Sequence, residues 1–413
     1  MWPVILTLFL CILYGWGVVR WNSRQQHSLP ARWLVAALLL RCIFSMAYGY
    51  IFIQYYNGDD TWMLHQGIEE EYQQLITDPS GFFLEPLYAG ELFRHPSITT
   101  GIYYYLMDLE NWMICKPLAL LHPFTGGNYY CQAVLFNFLP FLGNLLLYRF
   151  FIATYPRQRT ILYFWLFLFP PLLFWWSGLR ADGLILFFTA LSLTGMQLLA
   201  TTGKKSGWWL LLTGTAGWAI LRIQLLFLWV PAIAAYALHV RLGWSHWRSL
   251  GVVYGLSALL FFGSGLLSPK ADLTRWVAQR QEQFKALPGK TRFELNDLEP
   301  GLASFIKTLP QAFTNIFLRP YPWEARGALQ WLAAGDVAVL LFVIAVFLFT
   351  RAYTNEHVKW ESGIIYPFVF ALSLYIFIGL TIPFPGAIVR YKVQAEYLIL
   401  LFFAIRIPLK RIY

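Results

Sequence analysis

Long apolar runs separated by polar connections dominate the chain. A helix needs about 20 apolar residues to cross a bilayer. Open sheets cannot exist in lipid, and no period-2 alternation indicates a barrel. We therefore expect an all-α polytopic membrane protein with about ten or eleven spans. The predicted spans are 2–19, 33–56, 128–153, 160–176, 183–200, 208–221, 223–239, 250–268, 328–350, 363–384 and 395–412, with 208–239 either two tight spans or one broken helix.

Basic residues mark every second connection between these spans. The positive-inside rule places such connections in the cytoplasm, so the N-terminus starts outside. The outer face then carries two long segments, 57–127 and 269–327, with helices that lie on or dip into the interface. We expect residues 1–413 to form a single transmembrane domain. The basic connections contain Arg20, Arg24 and Arg32; Arg157 and Arg159; Lys204 and Lys205; Arg241 and Arg248; Arg351 and Lys359; and Lys410 and Arg411.

The composition agrees with this class. Hydrophobic residues make up 58% of the chain and charged residues 13%, whereas globular chains carry roughly 25% charged residues. The net charge of +10 is scattered between the spans, which argues against a nucleic-acid partner. None of the four cysteines forms a CxxC pair, and Cys115 and Cys131 flank one loop. They could form a disulfide if that loop faces an oxidising compartment.

The first outer segment contains almost half of the acidic residues of the chain. Asp59 and Asp60 follow a span directly, after Gly58, which allows a sharp turn at the membrane surface. Carboxylates there could accept a proton from an acceptor hydroxyl or hold a divalent metal. An aspartate in such a turn could equally cap the helix that follows.

Two further outer-face positions are candidates for the same chemistry. His95 stands before Pro96, which restricts the backbone, and its imidazole could bind a metal, orient a phosphate or shuttle a proton. Arg180 and Asp182 lie in the short connection SGLRADG. They could be a simple ion pair, or Asp182 could join Asp59 and Asp60 around a substrate or metal.

Basic residues near the outer ends of spans could hold a phosphate. Arg222 interrupts an apolar run, where a charge is costly and marks a candidate functional site. Arg390 and Lys392 face the outside against the usual charge bias, with Tyr391 as an interfacial anchor. Because guanidinium groups pair with phosphate bidentately, Arg222, Arg390 and Lys392 form a candidate phosphate clamp. Ordinary charge at a helix start is the alternative.

Several motifs together resemble the GT-C class of membrane glycosyltransferases, in particular the bacterial relatives of protein mannosyltransferases and the lipid A aminoarabinose transferases. The similarity covers most of the chain, although each motif is short. A span at 2–19 precedes the large loop, which in the class usually follows the first span. The motifs are Asp59-Asp60 after a span, His95-Pro96 before GIYYYL, the turn FPPLLFWWSGLRADGLILFF, RYK at 390–392, and LRPYPWEARGALQWL at 318–332.

The resemblance implies inverting transfer of a sugar from a polyprenyl-phosphate donor at the outer face of the membrane. It implies a glycan, lipid or protein acceptor and a bacterial inner (plasma) membrane with a periplasmic active site. Asp59 or Asp60 would be the base or metal anchor, with Asp182 and His95 in support. The ligands of a divalent Mg or Mn cofactor would be Asp59, Asp60 and Asp182. Substrate and phosphate contacts would come from Arg180, Arg222, Arg390, Tyr391 and Lys392.

Other functions remain open on the sequence alone. A polysaccharide polymerase or ligase would share the outer-face chemistry but depend more on arginines. A transporter or flippase of lipid-linked sugars would place ionisable residues near mid-membrane and contain related halves, and no internal repeat is evident. A noncatalytic subunit of a membrane assembly is a further alternative. An ATP-driven pump is not indicated, because PGKT at 288–291 has Phe284 where a P-loop needs glycine.

Overall fold

The computed structural model describes residues 1–87, 97–268, 271–288, 292–354 and 361–407. These residues form helices, turns and loops, with no strand among them. Eight helices in this part of the chain are long and apolar enough to cross a membrane. The all-α polytopic membrane fold is therefore confirmed. The eight are Trp2–Ser23, Ala31–Tyr55, Tyr129–Thr154, Ala181–Thr201, Leu225–Leu242, His246–Leu267, Ala328–Arg351 and Gly363–Thr381.

The chain forms two compact units, Met1–Leu226 and Phe227–Tyr413. The sequence predicted one continuous membrane domain. The boundary falls inside an apolar helix, with no polar linker in the sequence to indicate it. The first unit contains α1 (Trp2–Ser23), α2 (Ala31–Tyr55), α3 (Asp59–Thr77), α4 (Pro79–Leu84), α5 (Ile98–Leu120), α6 (His122–Thr125), α7 (Tyr129–Phe136), α8 (Phe138–Thr154), α9 (Arg159–Tyr163), α10 (Pro170–Trp175), α11 (Ala181–Thr201) and α12 (Ser206–Leu221).

The second unit begins within α13 (Ile223–Leu242) and continues through six further helices. Short 3₁₀ turns occur at Glu85–Leu87, Pro156–Gln158 and Pro322–Glu324, and a π-helical stretch at Phe164–Leu168. The six helices are α14 (His246–Leu267), α15 (Leu273–Ala286), α16 (Leu302–Leu318), α17 (Ala328–Thr354), α18 (Ser362–Thr381) and α19 (Pro385–Ala404).

Two predicted spans, 160–176 and 395–412, differ from the observed helices, and the structure also shows how the open segment 208–239 folds. The segment 160–176 is divided into α9, the π-helical stretch and α10, because Pro170 and Pro171 cannot continue a helix from Phe169. The segment 208–239 contains two helices, α12 and α13, which separate at Arg222. The last helix begins at Pro385, ten residues before the predicted 395. The predicted span began after the charged residues of RYK, but these residues lie within the helix.

Small residues bring the membrane helices of the first unit close together. A Cβ atom on Gly195 of α11 would lie 2.5 Å from the backbone nitrogen of Leu211 in α12. A Cβ atom on Gly214 of α12 would lie 2.3 Å from Oγ of Ser192. Lipid tails are as apolar as the helices, so the hydrophobic effect does not drive membrane helices together. Close backbone packing of this kind holds them together instead.

The first outer segment folds as a helical layer around α3 and α5. Lys116 of α5 donates to Glu71 of α3 at 2.6 Å and to Glu85 at 3.1 Å, which ties three parts of the segment together. His122 lies 2.9 Å from Glu69 and its ring stacks on Tyr72. The described part of 57–127 is therefore helical, and its location at the membrane interface stays a prediction.

Cys115 and Cys131 are both buried free thiols. Sγ of Cys115 donates to the carbonyl oxygen of Leu64 at 3.6 Å, within the contact between α5 and α3. The disulfide that their positions allowed is not formed in this structure.

Candidate functional site on the first outer segment

The turn between α2 and α3 places two carboxylates at the start of α3. Asn57, Gly58 and Asp59 all have positive φ, at 52°, 92° and 46°, and glycine suits the central position because L side chains rarely adopt this conformation. Asp59 and Asp60 then become the first two residues of α3, where negative charge is favoured by the helix dipole. The N-cap is Gly58, without a side-chain capping bond, so neither aspartate fills the N-cap position.

The carboxylates instead pair with Arg180. Nη1 of Arg180 donates to Oδ2 of Asp59 at 2.9 Å, and Nη2 donates to Oδ2 of Asp60. The Arg180 side chain is only 3% exposed, whereas those of Asp59 and Asp60 are 38% and 58% exposed. One buried guanidinium therefore holds two acids that are open to solvent.

The Arg180 guanidinium is itself positioned by α2. Its Nη1 also donates to the hydroxyl of buried Tyr48 at 3.0 Å. A Cβ atom on Gly178 would lie 2.5 Å from the Tyr48 ring, so glycine at 178 lets the tyrosine approach the connection that carries Arg180. The sequence predicted a role for Arg180 but gave no indication of Tyr48.

A second polar network fixes the start of the same connection. Asn137 donates to the carbonyl oxygen of Ser177 at 2.7 Å and accepts from Nε of Arg41 at 2.8 Å. Arg41 also donates to the carbonyl oxygen of Trp176 at 2.7 Å. Buried polar groups need such partners, and here they fix two successive residues just before Gly178.

Asp182 lies in the first turn of α11 and is fully buried. It follows Arg180 by two residues but differs from Asp59 and Asp60 in having no exposed surface. In the first turn of a helix the dipole favours a negative charge.

Two of the three proposed metal ligands, Asp59 and Asp60, pair with a cation that belongs to the protein. Arg180 contacts both Asp59 and Asp60, so a divalent ion bound by the two carboxylates would compete with the guanidinium. In the described ranges, no three His, Cys, Asp or Glu side chains are grouped as metal ligands. The Mg or Mn site stays a prediction, and His95 lies outside the described residues, within the gap 88–96.

Arg222 lies at the break between α12 and α13. Its Nη1 donates to Oε1 of Glu110 in α5 at 2.5 Å and to the carbonyl oxygen of Leu221 at 2.8 Å. The arginine therefore joins the helix break to the first outer segment. This arrangement differs from the expected phosphate contact, because the charge of Arg222 is already matched by an acid of its own unit.

The basic residues of RYK have different environments in the second unit. Arg390 lies over the ring of its neighbour Tyr391, 5.1 Å from the ring centre, and both residues are partly exposed. Lys392 is fully buried, 2.7 Å from Asp336 and 2.8 Å from Glu396. The expectation that Arg390 and Lys392 together hold a phosphate is therefore not met by Lys392, whose ammonium faces two carboxylates inside the unit.

Several buried charged residues were not predicted as candidate site residues from the sequence. Arg41, Asp336 and Glu396 each stand within an apolar run, as Arg222 does, and that position alone marks an ionisable residue as a candidate. Lys116 also stands within an apolar run, WMICKPLALL, but its pairing with Glu71 and Glu85 cannot be seen in the sequence.

Comparisons with protein-family models, with curated proteins and with solved structures found no match. The function proposed below is therefore argued from the sequence and from the geometry of the described residues.

Proposed function

We propose that this integral membrane protein is an inverting glycosyltransferase of the GT-C type. It moves a sugar from a polyprenyl-phosphate-linked donor to a lipid, glycan or protein acceptor at the outer face of the membrane. The observation that carries the proposal is the exposed acid pair Asp59-Asp60, held by buried Arg180 directly after a membrane helix. We place the protein in a bacterial inner membrane with this site on the periplasmic side.

The position of the acid pair suits a substrate whose tail stays in lipid. A carboxylate at the end of a span meets the headgroup layer, where a sugar attached to a lipid phosphate would lie. Fixed geometry matters as much as position, because a general base must lie within hydrogen-bond reach of the proton it accepts. Arg180 supplies that fixation and leaves exposed carboxylate surface on Asp59 and Asp60.

The chemistry assigned to the pair is a single displacement. The acceptor hydroxyl oxygen attacks the anomeric carbon as the bond from that carbon to the phosphate oxygen breaks. Asp59 or Asp60 takes the hydroxyl proton, and polyprenyl phosphate leaves with the bonding electron pair. Inversion at the anomeric carbon follows from attack opposite the leaving group. A divalent metal, if bound, would supply charge for the departing phosphate.

Within the second unit, Arg390, with Tyr391 beside it in α19, is the candidate ligand for a phosphate group. Arg390 is partly exposed, and guanidinium groups recognise phosphate bidentately. Arg222 and Lys392 are removed from this role because each faces carboxylates of its own unit. Arg180 is assigned to the positioning of the base.

The experiment that tests this function is sugar transfer by the purified full chain in lipid vesicles. Radiolabelled polyprenyl-phosphate sugars are supplied as donors with a panel of glycan, lipid and peptide acceptors, and nucleotide sugars serve as a negative arm. The expected result is release of polyprenyl phosphate together with labelled acceptor. Movement of intact donor across the bilayer without cleavage of the sugar–phosphate bond would contradict the proposal.

A transporter of lipid-linked sugars is the second candidate, and one observation favours it. Lys392, Asp336 and Glu396 form a buried ionic cluster among membrane helices, and ionisable residues inside spans commonly mark transport or proton pathways. The vesicle experiment separates the two, because transport preserves the sugar–phosphate bond.

A further inference from the structure

The second unit contains an ionic cluster built from three helices. Lys392 and Glu396 lie one turn apart on α19, Asp336 lies on α17, and Tyr375 lies on α18. All four side chains are at least nine-tenths buried. At 1.5 Å per residue, Asp336 lies about 12 Å along α17, well within a hydrocarbon layer of about 30 Å.

The charges of this cluster do not cancel. Lys392 contributes one positive charge, and two carboxylates would contribute two negative charges. Nζ of Lys392 donates to Oε1 of Glu396 at 2.8 Å and lies 2.7 Å from Oδ2 of Asp336, the second contact being an ion pair without hydrogen-bond geometry. A fully ionised cluster would leave one net negative charge buried away from water, which is strongly unfavourable.

The oxygen atoms also lack donors. The side chains of Glu396 and Asp336 interact directly, yet two ionised carboxylates can only accept hydrogen bonds. Oδ1 of Asp336 and Oε2 of Glu396 have no donor, and the Tyr375 hydroxyl lies beside Glu396. Buried polar atoms are normally satisfied, so the arrangement is short of one proton.

We propose that Asp336 and Glu396 form a binding site for one exchangeable proton within the membrane helices of the second unit. The proton lies on one carboxyl group and is donated to the other, while Lys392 balances the remaining negative charge. Tyr375 donates its hydroxyl hydrogen to a carboxyl oxygen of Glu396. Every member of the cluster is then satisfied, and its net charge is zero.

In the described part of the second unit, Lys392 is the cation that pairs with Asp336 and Glu396. The titratable groups that face the site are Asp336 from α17, Tyr375 from α18, and Lys392 and Glu396 from α19. The charged residue of α16, which packs beside α17 and α18, is Lys307, and it is exposed. Loss of the proton therefore requires water or another cation to enter between α17 and α19.

Infrared spectroscopy of the full chain in lipid nanodiscs tests the proposal. A neutral carboxyl group has a C=O stretching band that an ionised carboxylate lacks, and the band shifts when H₂O is replaced by D₂O. The wild type is expected to show this band at neutral pH and to lose it in alkaline buffer. Glu396→Gln and Asp336→Asn should each abolish it, and Glu282→Gln, an exposed acid of the same unit, should leave it unchanged.

Thermal unfolding provides a second measurement on the same variants. The stability of the wild type should fall as pH rises and the proton is lost, whereas Glu396→Gln leaves a neutral Asp336–Lys392 pair and should flatten this dependence. If the carboxamide variants do not fold, Tyr375→Phe should still shift the wild-type band by removing its donor. A folded wild type without the band at neutral pH would overturn the proposal, as would suppression of the band by Na⁺ but not K⁺.

Discussion

Arg180 and Asp59 are 121 residues apart in the chain, and their side chains meet at 2.9 Å. The guanidinium is buried and the carboxylate is partly exposed. The pair therefore links the buried interior of the first unit to its exposed surface. Asp60 contacts the same guanidinium. This relationship fixes where the exposed acids of the first outer segment lie, and the account of function depends on it.

Arg180→Gln should release both aspartates. Gln cannot bridge two carboxylates and the Tyr48 hydroxyl, and it removes the positive charge that they share. We expect a loss of about 1–3 kcal/mol in the free energy of unfolding, at the lower end because Asp59 and Asp60 are partly hydrated, and a larger relative loss of transfer activity. Arg180→Lys should retain charge but not the forked geometry.

Chemical unfolding in detergent micelles, followed by tryptophan fluorescence, measures the stability change. Arg275→Gln is the matched control, because Arg275 is exposed on α15. Equal stability of the Arg180→Gln and Arg275→Gln variants would show that Arg180 does not hold the acid pair.

Gly178→Ala should disturb the site without changing any charge. The added Cβ atom would lie 2.5 Å from the Tyr48 ring, so the ring must move and carry its hydroxyl away from Arg180. Overpacking of this kind costs about 1–3 kcal/mol. Transfer rates should fall together with the melting temperature.

Gly255→Ala is the control for this substitution, because a Cβ atom there meets nothing within 4 Å. Thermal melts and initial transfer rates of the two variants are compared side by side. A Gly178→Ala protein as active and stable as wild type would mean that Tyr48 does not position Arg180.

Lys116→Met should make the stability of the first outer segment depend on pH. Burial raises the pKa of Glu71, and the nearby Lys116 ammonium opposes that rise. Without Lys116 the pKa of Glu71 rises further, so the folded state binds a proton that the unfolded state releases. Stability is then present at acid pH and lost as pH rises through the folded pKa.

At neutral pH we expect a loss of about 1–3 kcal/mol for Lys116→Met, shrinking as the pH is lowered. Urea unfolding at several pH values measures it. The double variant Lys116→Met/Glu71→Gln should lose most of the pH dependence. A stability loss that does not vary with pH would contradict the assignment of the effect to Glu71.

Exchange of the charges of Arg222 and Glu110 should distinguish a structural pair from a phosphate ligand. Arg222→Glu and Glu110→Arg should each destabilise the protein, because each leaves two like charges in contact. The swapped double variant should recover a coupling energy of about 0.5–3 kcal/mol. The unfolding free energies of the wild type, the two single variants and the double variant give this coupling energy. If there is no coupling, Arg222 would again be a candidate phosphate ligand.

Much of the fold could be predicted from the sequence, because an apolar run must reach a minimum length to cross the bilayer as a helix. Spans such as 2–19 and 33–56 coincide with α1 and α2 to within a few residues. The errors arose where local chemistry overrides that pattern. Two prolines divided 160–176, and charged residues inside α19 concealed its first ten residues, because the pairing of Lys392 with Asp336 on α17 could not be seen in the sequence.

The site was only partly predictable for the same reason. Gly58 and the two aspartates formed a local signal that the sequence displays directly. The pairing of Arg180 with both acids joins residues more than one hundred positions apart. The periodicity of apolar residues along the chain does not indicate contacts of this kind. Lys392 shows the converse, because its position in RYK suggested an outward role, whereas tertiary packing placed it between Asp336 and Glu396.

The measurement that tests the central claim most directly compares donor binding and sugar transfer for Asp59→Asn/Asp60→Asn. The wild type and Glu70→Gln, which changes an exposed acid on the same helix, are assayed beside it in lipid vesicles. We predict that the double variant folds and binds the polyprenyl-phosphate sugar but transfers none of it, while Glu70→Gln transfers at the wild-type rate. Wild-type turnover by the double variant would contradict the account.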